Sequence, residues 1–283
     1  MDEHPLQRFF SARRPRATFE WERYQAHEVL LIDHPRCQAA FSRQGAQLVH
    51  FQPRDQKPWL WCATHWPAVG AIRGGVPVCW PWHGRHPEES GWPAHGWARL
   101  LNWKLLDSQT EEHGVRLHWR LQLWDWQADL HAELGDTLRL DLSTRHQDSE
   151  PCHFSQALHA YWRISDVNEV ALQGLDGAPG YDQLRRQTCR QSGELRVQGA
   201  CEQVFEHEGR VRLQDPGWQR GLNIDVDDSP KTAVWHPGKR PLLGLGGNEV
   251  QGFVRVEAAG SHGLRQGLQP GEQARLSLQA SLA

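Results

Sequence analysis

The chain has 283 residues, 23% of them charged, a formal net charge of -3 at pH 7 and a mean hydropathy of -0.68. This balance excludes a function based on excess positive charge, such as binding nucleic acid or an anionic membrane surface. No apolar run is long enough to cross a bilayer, and the first residues lack the apolar stretch of a secretory signal. We therefore expect a cytoplasmic protein that binds neither nucleic acid nor membrane.

Strand-like segments follow one another along the chain. VLLID (29–33) and WLWCA (59–63) are short apolar runs, whereas VRLHWRLQLWDW (115–126) and TLRLDLSTRHQ (137–147) alternate with a period of two. LQDPGWQRGLNIDVDD (213–228) predicts a hairpin that turns at Asp-Pro-Gly. TAVWHPG, GFVRVEAAG and ARLSLQASL continue the pattern, and no amphipathic helix of ten or more residues stands out. These features predict an all-β protein, a large antiparallel β-sandwich forming a single domain over residues 1–283.

Motifs for nucleotides, metals and disulfides are missing from the sequence. The chain has no GxGxxG, no GK[ST] and no GxSxG motif, and its 17 histidines form no HExxH or similar template. We expect neither a cofactor nor a metal. The six cysteines form no CxxC pair, and reduced thiols are expected at Cys37, Cys62, Cys79, Cys152, Cys189 and Cys201.

Three segments are candidates for a functional site. IRGGVPVCWPWHG (72–84), with PAHGWAR (93–99) after it, combines arginines, glycines and tryptophans. SQALHAYWRI (155–164) places His159 among apolar neighbours, and QGFVRVEAAG (251–260) carries Glu257. A histidine and a carboxylate at strand ends suit acid–base chemistry, although such residues are also ordinary at strand ends.

The segments together resemble the glucose-6-phosphate 1-epimerase branch of the aldose 1-epimerase, or galactose mutarotase-like, superfamily. The matching blocks are IRGGVPVCWPWHG, PAHGWAR with NWKL, ALHAYW, GLDGAPGYDQL, AVWHPG and FVRVEAA, in that order between residues 72 and 259. The resemblance implies a β-sandwich that interconverts the α and β anomers of a sugar, here a sugar phosphate, without metal or nucleotide. We also expect a monomer.

The resemblance implies a role for each residue that matches a family block. Glu257 falls on the catalytic base and His159 on the acid, which we expect to be a protonated imidazole. The remaining substrate-binding positions are Arg73, His95, Arg99, Glu202 and Trp80. In three places the chain departs from the family: Ala94 replaces a polar residue, Glu202 replaces an aspartate and His236 replaces an asparagine.

The two arginines have a physical reason to bind phosphate, because a planar guanidinium holds a phosphate through two parallel hydrogen bonds. Gly74 and Gly75 are expected to let the backbone approach the ligand, and Trp80 or Trp82 to stack on the sugar. Two alternatives stay open: an aldose 1-epimerase for an unphosphorylated sugar, and a non-catalytic sugar-phosphate-binding protein.

Overall fold

The computed structural model describes residues 5–11, 18–240, 249–259 and 266–283. Within these ranges the only α-helix is a short one, α1 (Gln7–Ser11). Three single 3₁₀ turns occur at Ala98–Leu100, Pro216–Trp218 and Val250–Gly252. No helix in this part of the chain is long and apolar enough to cross a membrane. The all-β prediction is confirmed.

The strands are numbered in chain order. The first nine are β1 (Phe19–Tyr24), β2 (His27–Asp33), β3 (Cys37–Ser42), β4 (Gln47–Pro53), β5 (Val78–Cys79), β6 (Lys104–Glu111), β7 (Gly114–Leu123), β8 (Trp126–Gly135) and β9 (Leu138–His146). The next six are β10 (Cys152–Phe154), β11 (Ala157–Leu158), β12 (Tyr161–Arg163), β13 (Ala171–Gln173), β14 (Pro179–Asp182) and β15 (Gln187–Arg190). The last seven are β16 (Ala200–Phe205), β17 (Gly209–Asp215), β18 (Arg220–Asp227), β19 (Lys231–Pro237), β20 (Phe253–Ala259), β21 (Gln266–Leu268) and β22 (Gln273–Leu282).

Two eight-stranded sheets form the body of the fold. The back sheet has the order β13-β17-β18-β22-β9-β8-β7-β6. The front sheet has the order β15-β14-β16-β19-β20-β11-β5, and β12 also pairs with β20. A four-stranded sheet, β1-β2-β3-β4, and a two-stranded ribbon, β10-β21, complete the described architecture. All pairings between these strands are antiparallel, as the sequence predicts.

Most of the strands predicted from the apolar pattern are present. In β7 and β9 the alternating side chains predicted to share one face are buried: Val115, Leu117, Trp119, Leu121, Leu138, Leu140 and Leu142. The exception is Leu123 at the end of β7, which is half-buried. The predicted hairpin is formed by β17 and β18, with a 3₁₀ turn between them. WLWCA is not a strand, because its backbone changes partner within a few residues and forms only the single bridges Leu60–Trp162 and Cys62–Gly74.

The alternation along β20 assigns its two faces. Val254, Val256 and Ala258 belong to the main hydrophobic core, together with residues of the back sheet. Since successive side chains of a strand point to opposite faces, Arg255 and Glu257 point away from that core. The outer face of the front sheet therefore carries the charged residues of this strand.

Gly74 and Gly75 allow the chain to pass close to neighbouring backbone. Both have positive φ, of 102° and 62°. A Cβ on Gly74 would lie 2.4 Å from Cα of Cys62, and one on Gly75 would lie 2.1 Å from the carbonyl oxygen of Leu48. The close approach predicted from the glycine pair is thus to the protein itself and not to a ligand.

We expect Gly75→Ala to lower the free energy of unfolding by more than about 2 kcal/mol, because the new Cβ overlaps backbone in a left-handed conformation. Gly91→Ala is the matched control, since a Cβ there meets nothing within 4 Å. Urea unfolding of both variants measures the difference. Equal midpoints would contradict the close-packing explanation.

Candidate active site

A cavity of about 370 Å³ opens on the outer face of the front sheet. Its walls come from β12, β16, β19 and β20, and from loop residues between 71 and 99. Across the sheet, Glu202 pairs with Trp235, which in turn pairs with Arg255. Cross-strand neighbours on one face lie close together, so the strand register alone brings these three side chains next to one another.

The cavity brings together six of the seven residues proposed from the sequence. His159, Glu257, Arg73, His95, Arg99 and Glu202 all line it. These residues come from positions up to 184 apart in the chain, and the fold makes them neighbours. Their individual roles stay predictions.

Trp80 is the exception, and the prediction that it stacks on a ligand in this cavity is corrected. Its side chain has no exposed surface and belongs to the main core. Its indole N–H donates to Oγ1 of Thr144 at 2.9 Å. Trp82 does not line the cavity either, and Trp235 and Tyr161 supply its aromatic wall instead.

The proposed base and acid are in direct contact. Nε2 of His159 lies 3.1 Å from Oε2 of Glu257, and both side chains are almost completely buried. Glu257 is on β20 opposite Ala233, whose small side chain leaves space above the carboxylate. His159 lies between β11 and β12, where its backbone N–H donates to the carbonyl of Pro77 at 3.0 Å.

Arg255 is a member of the site that the sequence reasoning missed. It lies two residues before Glu257 on the same strand face and forms an ion pair with Oε1 of that carboxylate. Its Nη1 is 3.4 Å from Nδ1 of His159. The guanidinium also lies over the ring of Trp235, 4.4 Å from the centroid. The i, i+2 spacing in FVRVEAA was the available signal, because it places both charges on one face.

His83 is the second residue that was missed. Its Nε2 lies 2.8 Å from Nε2 of His159 and 4.0 Å from Oε2 of Glu257. Its backbone N–H donates to Oγ of Ser155 at 2.8 Å, which fixes the end of the IRGGVPVCWPWHG segment beside the cavity. The sequence offered only a histidine in a glycine- and proline-rich loop.

Burial holds the pKa of His159 well below its usual range, and the positive charges of Arg255 and Arg99 add to the effect. His159 is therefore a neutral imidazole at neutral pH. This differs from the protonated imidazole that we expected from the sequence. The difference arises because the fold buries the imidazole and places Arg255 and Arg99 near it, which a sequence pattern does not show.

Arg73 and Arg99 are half-exposed at the cavity wall. Within the described ranges, neither guanidinium has a carboxylate at ion-pair distance. Nη2 of Arg99 donates to the carbonyl oxygen of Ala94 at 2.6 Å. The positive charge of this wall is thus available to an anion.

Two triads of side chains have ligand-type atoms within 4.8 Å of one another: Cys79, His95 and His159, and His83, His159 and Glu257. In the first, burial raises the pKa of the Cys79 thiol to about 11, so the thiolate that a metal requires is disfavoured. In the second, Arg255 already neutralises the carboxylate and lies beside the imidazole. The local charge therefore disfavours a divalent cation in this triad.

A carboxylate and an imidazole N–H at this separation suit proton transfer at two oxygens bonded to one carbon. A hemiacetal presents that pair of oxygens at its anomeric carbon. An antiparallel β-sandwich with such a pair on its outer sheet face fits the class of acid–base enzymes that act on a hemiacetal.

Comparison with known proteins agrees with this class. The family model for aldose 1-epimerase matches residues 28–281. The chain therefore belongs to the aldose 1-epimerase family.

Relatives were found by sequence and by structure. A protein of Escherichia coli K12 named "Putative glucose-6-phosphate 1-epimerase" is 36% identical over 257 residues, which are 82% of this chain and 83% of that protein. A Haemophilus influenzae protein of the same name is 28% identical and covers 86% of each chain. The crystal structure of a Salmonella typhimurium protein, titled a "putative mutarotase", superposes with a TM-score of 0.87 at 23% identity over 94% of each chain.

The lowered pKa of His159 predicts a pH dependence of stability. In the unfolded chain this histidine titrates near about 6.5, whereas the folded pKa lies well below it. Unfolding therefore takes up a proton as the pH falls below about 6.5, and stability falls by up to about 1.4 kcal/mol per pH unit until the folded pKa is reached. We expect urea unfolding of His159→Gln to show a weaker loss of stability between pH 8 and pH 5. Parallel curves for the variant and the wild type would contradict the lowered pKa.

Proposed function

We propose that the protein interconverts the α and β anomers of a hexose 6-phosphate by opening and closing the sugar ring. The observation that carries the proposal is the pair Arg73 and Arg99, without carboxylate partners among the described residues, in the same cavity as His159 and Glu257. The family membership supports an epimerase, and the names of the sequence relatives support a phosphorylated substrate.

Ring opening requires one proton to leave the anomeric hydroxyl and another to reach the ring oxygen. Glu257 takes the hydroxyl proton, and the Nε2–H of His159 is transferred to the ring oxygen as the C1–O5 bond breaks. The electron pair of that bond goes to the ring oxygen, while the electron pair of the hydroxyl forms the aldehyde. After the aldehyde end rotates, both protons return, and each side chain ends the cycle as it began.

Arg255 explains how a neutral imidazole can serve as the acid. When the Nε2 proton moves toward the ring oxygen, negative charge develops on the imidazole. The guanidinium beside Nδ1 stabilises that charge, and a water-poor site strengthens the interaction. The ion pair with Arg255 also favours the charged form of Glu257, which its proposed role as the base requires.

Phosphate recognition follows from the positive charge of Arg73 and Arg99 in the same cavity. Each guanidinium presents parallel N–H groups that match a phosphate dianion. The aromatic faces of Trp235 and Tyr161 suit the apolar C–H face of a sugar. The cavity volume is within the range of about 300–1,000 Å³ that is usual for small-molecule sites.

The direct test is anomer exchange measured by NMR on glucose 6-phosphate, with glucose as a parallel sample, in buffer containing EDTA. We expect rapid exchange of the phosphorylated sugar and much slower exchange of glucose. Glucose exchanging at least as fast would instead indicate an aldose 1-epimerase for unphosphorylated sugars. Binding of the phosphorylated sugar without accelerated exchange would indicate a non-catalytic sugar-phosphate-binding protein.

Removing an arginine that binds the phosphate should weaken the binding of the phosphorylated substrate selectively. We expect Arg73→Ala and Arg99→Ala each to raise KM for glucose 6-phosphate about 10-fold or more, with little change for glucose, because a charge-assisted hydrogen bond contributes about 1.5–3 kcal/mol. Arg36→Ala, at a surface ion pair away from the cavity, is the control. Equal effects on KM for the two sugars would show that these arginines do not bind the phosphate.

Glu257→Gln keeps the shape of the side chain but removes the base. We expect the variant to bind glucose 6-phosphate in a titration followed by tryptophan fluorescence, with kcat reduced by about 10²–10⁴-fold. A kcat close to that of the wild type would show that another group removes the proton.

A further inference from the structure

Both ring nitrogens of His159 are in contact with other side chains. Nδ1 lies 3.4 Å from Nη1 of Arg255, and Nε2 lies 2.8 Å from Nε2 of His83. His83 is nearly as deeply buried as His159, and it lines the same cavity. Neither contact belongs to the acid–base pair itself.

These contacts determine where the protons are. Arginine only donates hydrogen bonds, so Nδ1 of His159 must be the nitrogen without a hydrogen. A neutral imidazole carries one N–H, which is therefore on Nε2. At 2.8 Å this N–H donates to Nε2 of His83, so His83 must carry its own proton on Nδ1.

We propose that His83 is a positioning residue: it accepts the Nε2–H of His159 and so holds the acid in the tautomer and orientation that direct its proton into the cavity. Glu257 is the competing acceptor at 3.1 Å. By accepting this hydrogen bond, His83 keeps the N–H of His159 from pairing only with Glu257 before substrate arrives. The ring oxygen of the sugar then replaces His83 as acceptor.

The titratable and charged groups that face His159 come from four elements. Cys79 comes from β5, His83 from the loop after it, His95 and Arg99 from segment 93–99, and Arg255 and Glu257 from β20. Without His83, the carboxylate of Glu257 becomes the main partner of Nε2 of His159. The pKa of His159 then rises, and protonation of Nδ1 breaks its contact with Arg255.

The first experiment measures the two tautomers directly, without substrate. Nitrogen-15 spectra of the histidine-labelled full-length protein are recorded at pH 7 in EDTA, and signals are assigned by their loss in His159→Gln and His83→Gln. We expect Nε2 protonated and Nδ1 bare in His159, and the reverse in His83. A proton on Nε2 of His83, or an imidazolium at His159, would overturn the proposal.

The second experiment compares two substitutions of His83. His83→Gln retains an acceptor oxygen, whereas His83→Phe fills similar space without one. For His83→Phe we expect kcat to fall about 10-fold, which is less than the loss of about 10²–10⁴-fold expected when an acid is removed. KM should stay within about twofold of the wild-type value. The acidic limb of the pH profile of kcat should move to higher pH. For His83→Gln we expect rates within about threefold of the wild type. Equal losses in both variants, or none in either, would overturn the proposal.

The kinetic comparison rests on the proposed function, but the tautomer spectra do not. If neither sugar is turned over, the proposed function fails while the spectra still decide the role of His83. The same assays would also detect a metal. If EDTA abolished activity and zinc restored it, His83, His159 and Glu257 would be metal ligands. That result would overturn the positioning role.

Discussion

The buried ion pair between Arg255 and Glu257 is the interaction on which the site depends. An ionised carboxylate with almost no exposed surface is costly, and removing the partner of such a pair costs about 3–5 kcal/mol. Because both residues lie on β20, two apart, the pair forms as soon as that strand is in place. The ion pair of the proposed base is thus formed by the fold before any ligand binds.

The same strand connects the site with the core. Its alternate residues Val254 and Val256 pack in the main hydrophobic core, so the apolar packing that holds β20 also holds the charges on its other face. The neighbouring strands β12 and β19 place Tyr161 and Trp235 on either side of Arg255, because both residues pair with it across the sheet. The position of Glu257 and Arg255 is therefore a property of the sheet, and the loops add Arg73, Arg99 and His83.

The sequence was sufficient for the fold class and for most of the cavity. Period-two alternation predicted β7 and β9, and the ordered blocks located His159 and Glu257. Trp80 was misplaced because a local pattern does not distinguish a tryptophan facing the inter-sheet core from one facing a cavity. The contacts of His159 with His83 and Arg255 join residues 76 and 96 positions apart, and no local pattern carries such distances.

The hydrogen bond from Arg99 to the carbonyl of Ala94 has a consequence for how the chain can vary. A main-chain oxygen is the same whatever the side chain, so position 94 can change without loss of this contact. The departure of Ala94 from the polar residue of the family thus leaves the support of Arg99 intact. Side-chain identity at position 94 is a poor guide to substrate preference among relatives that keep this arginine, whereas a change in the backbone path of segment 93–99 would move the charge itself.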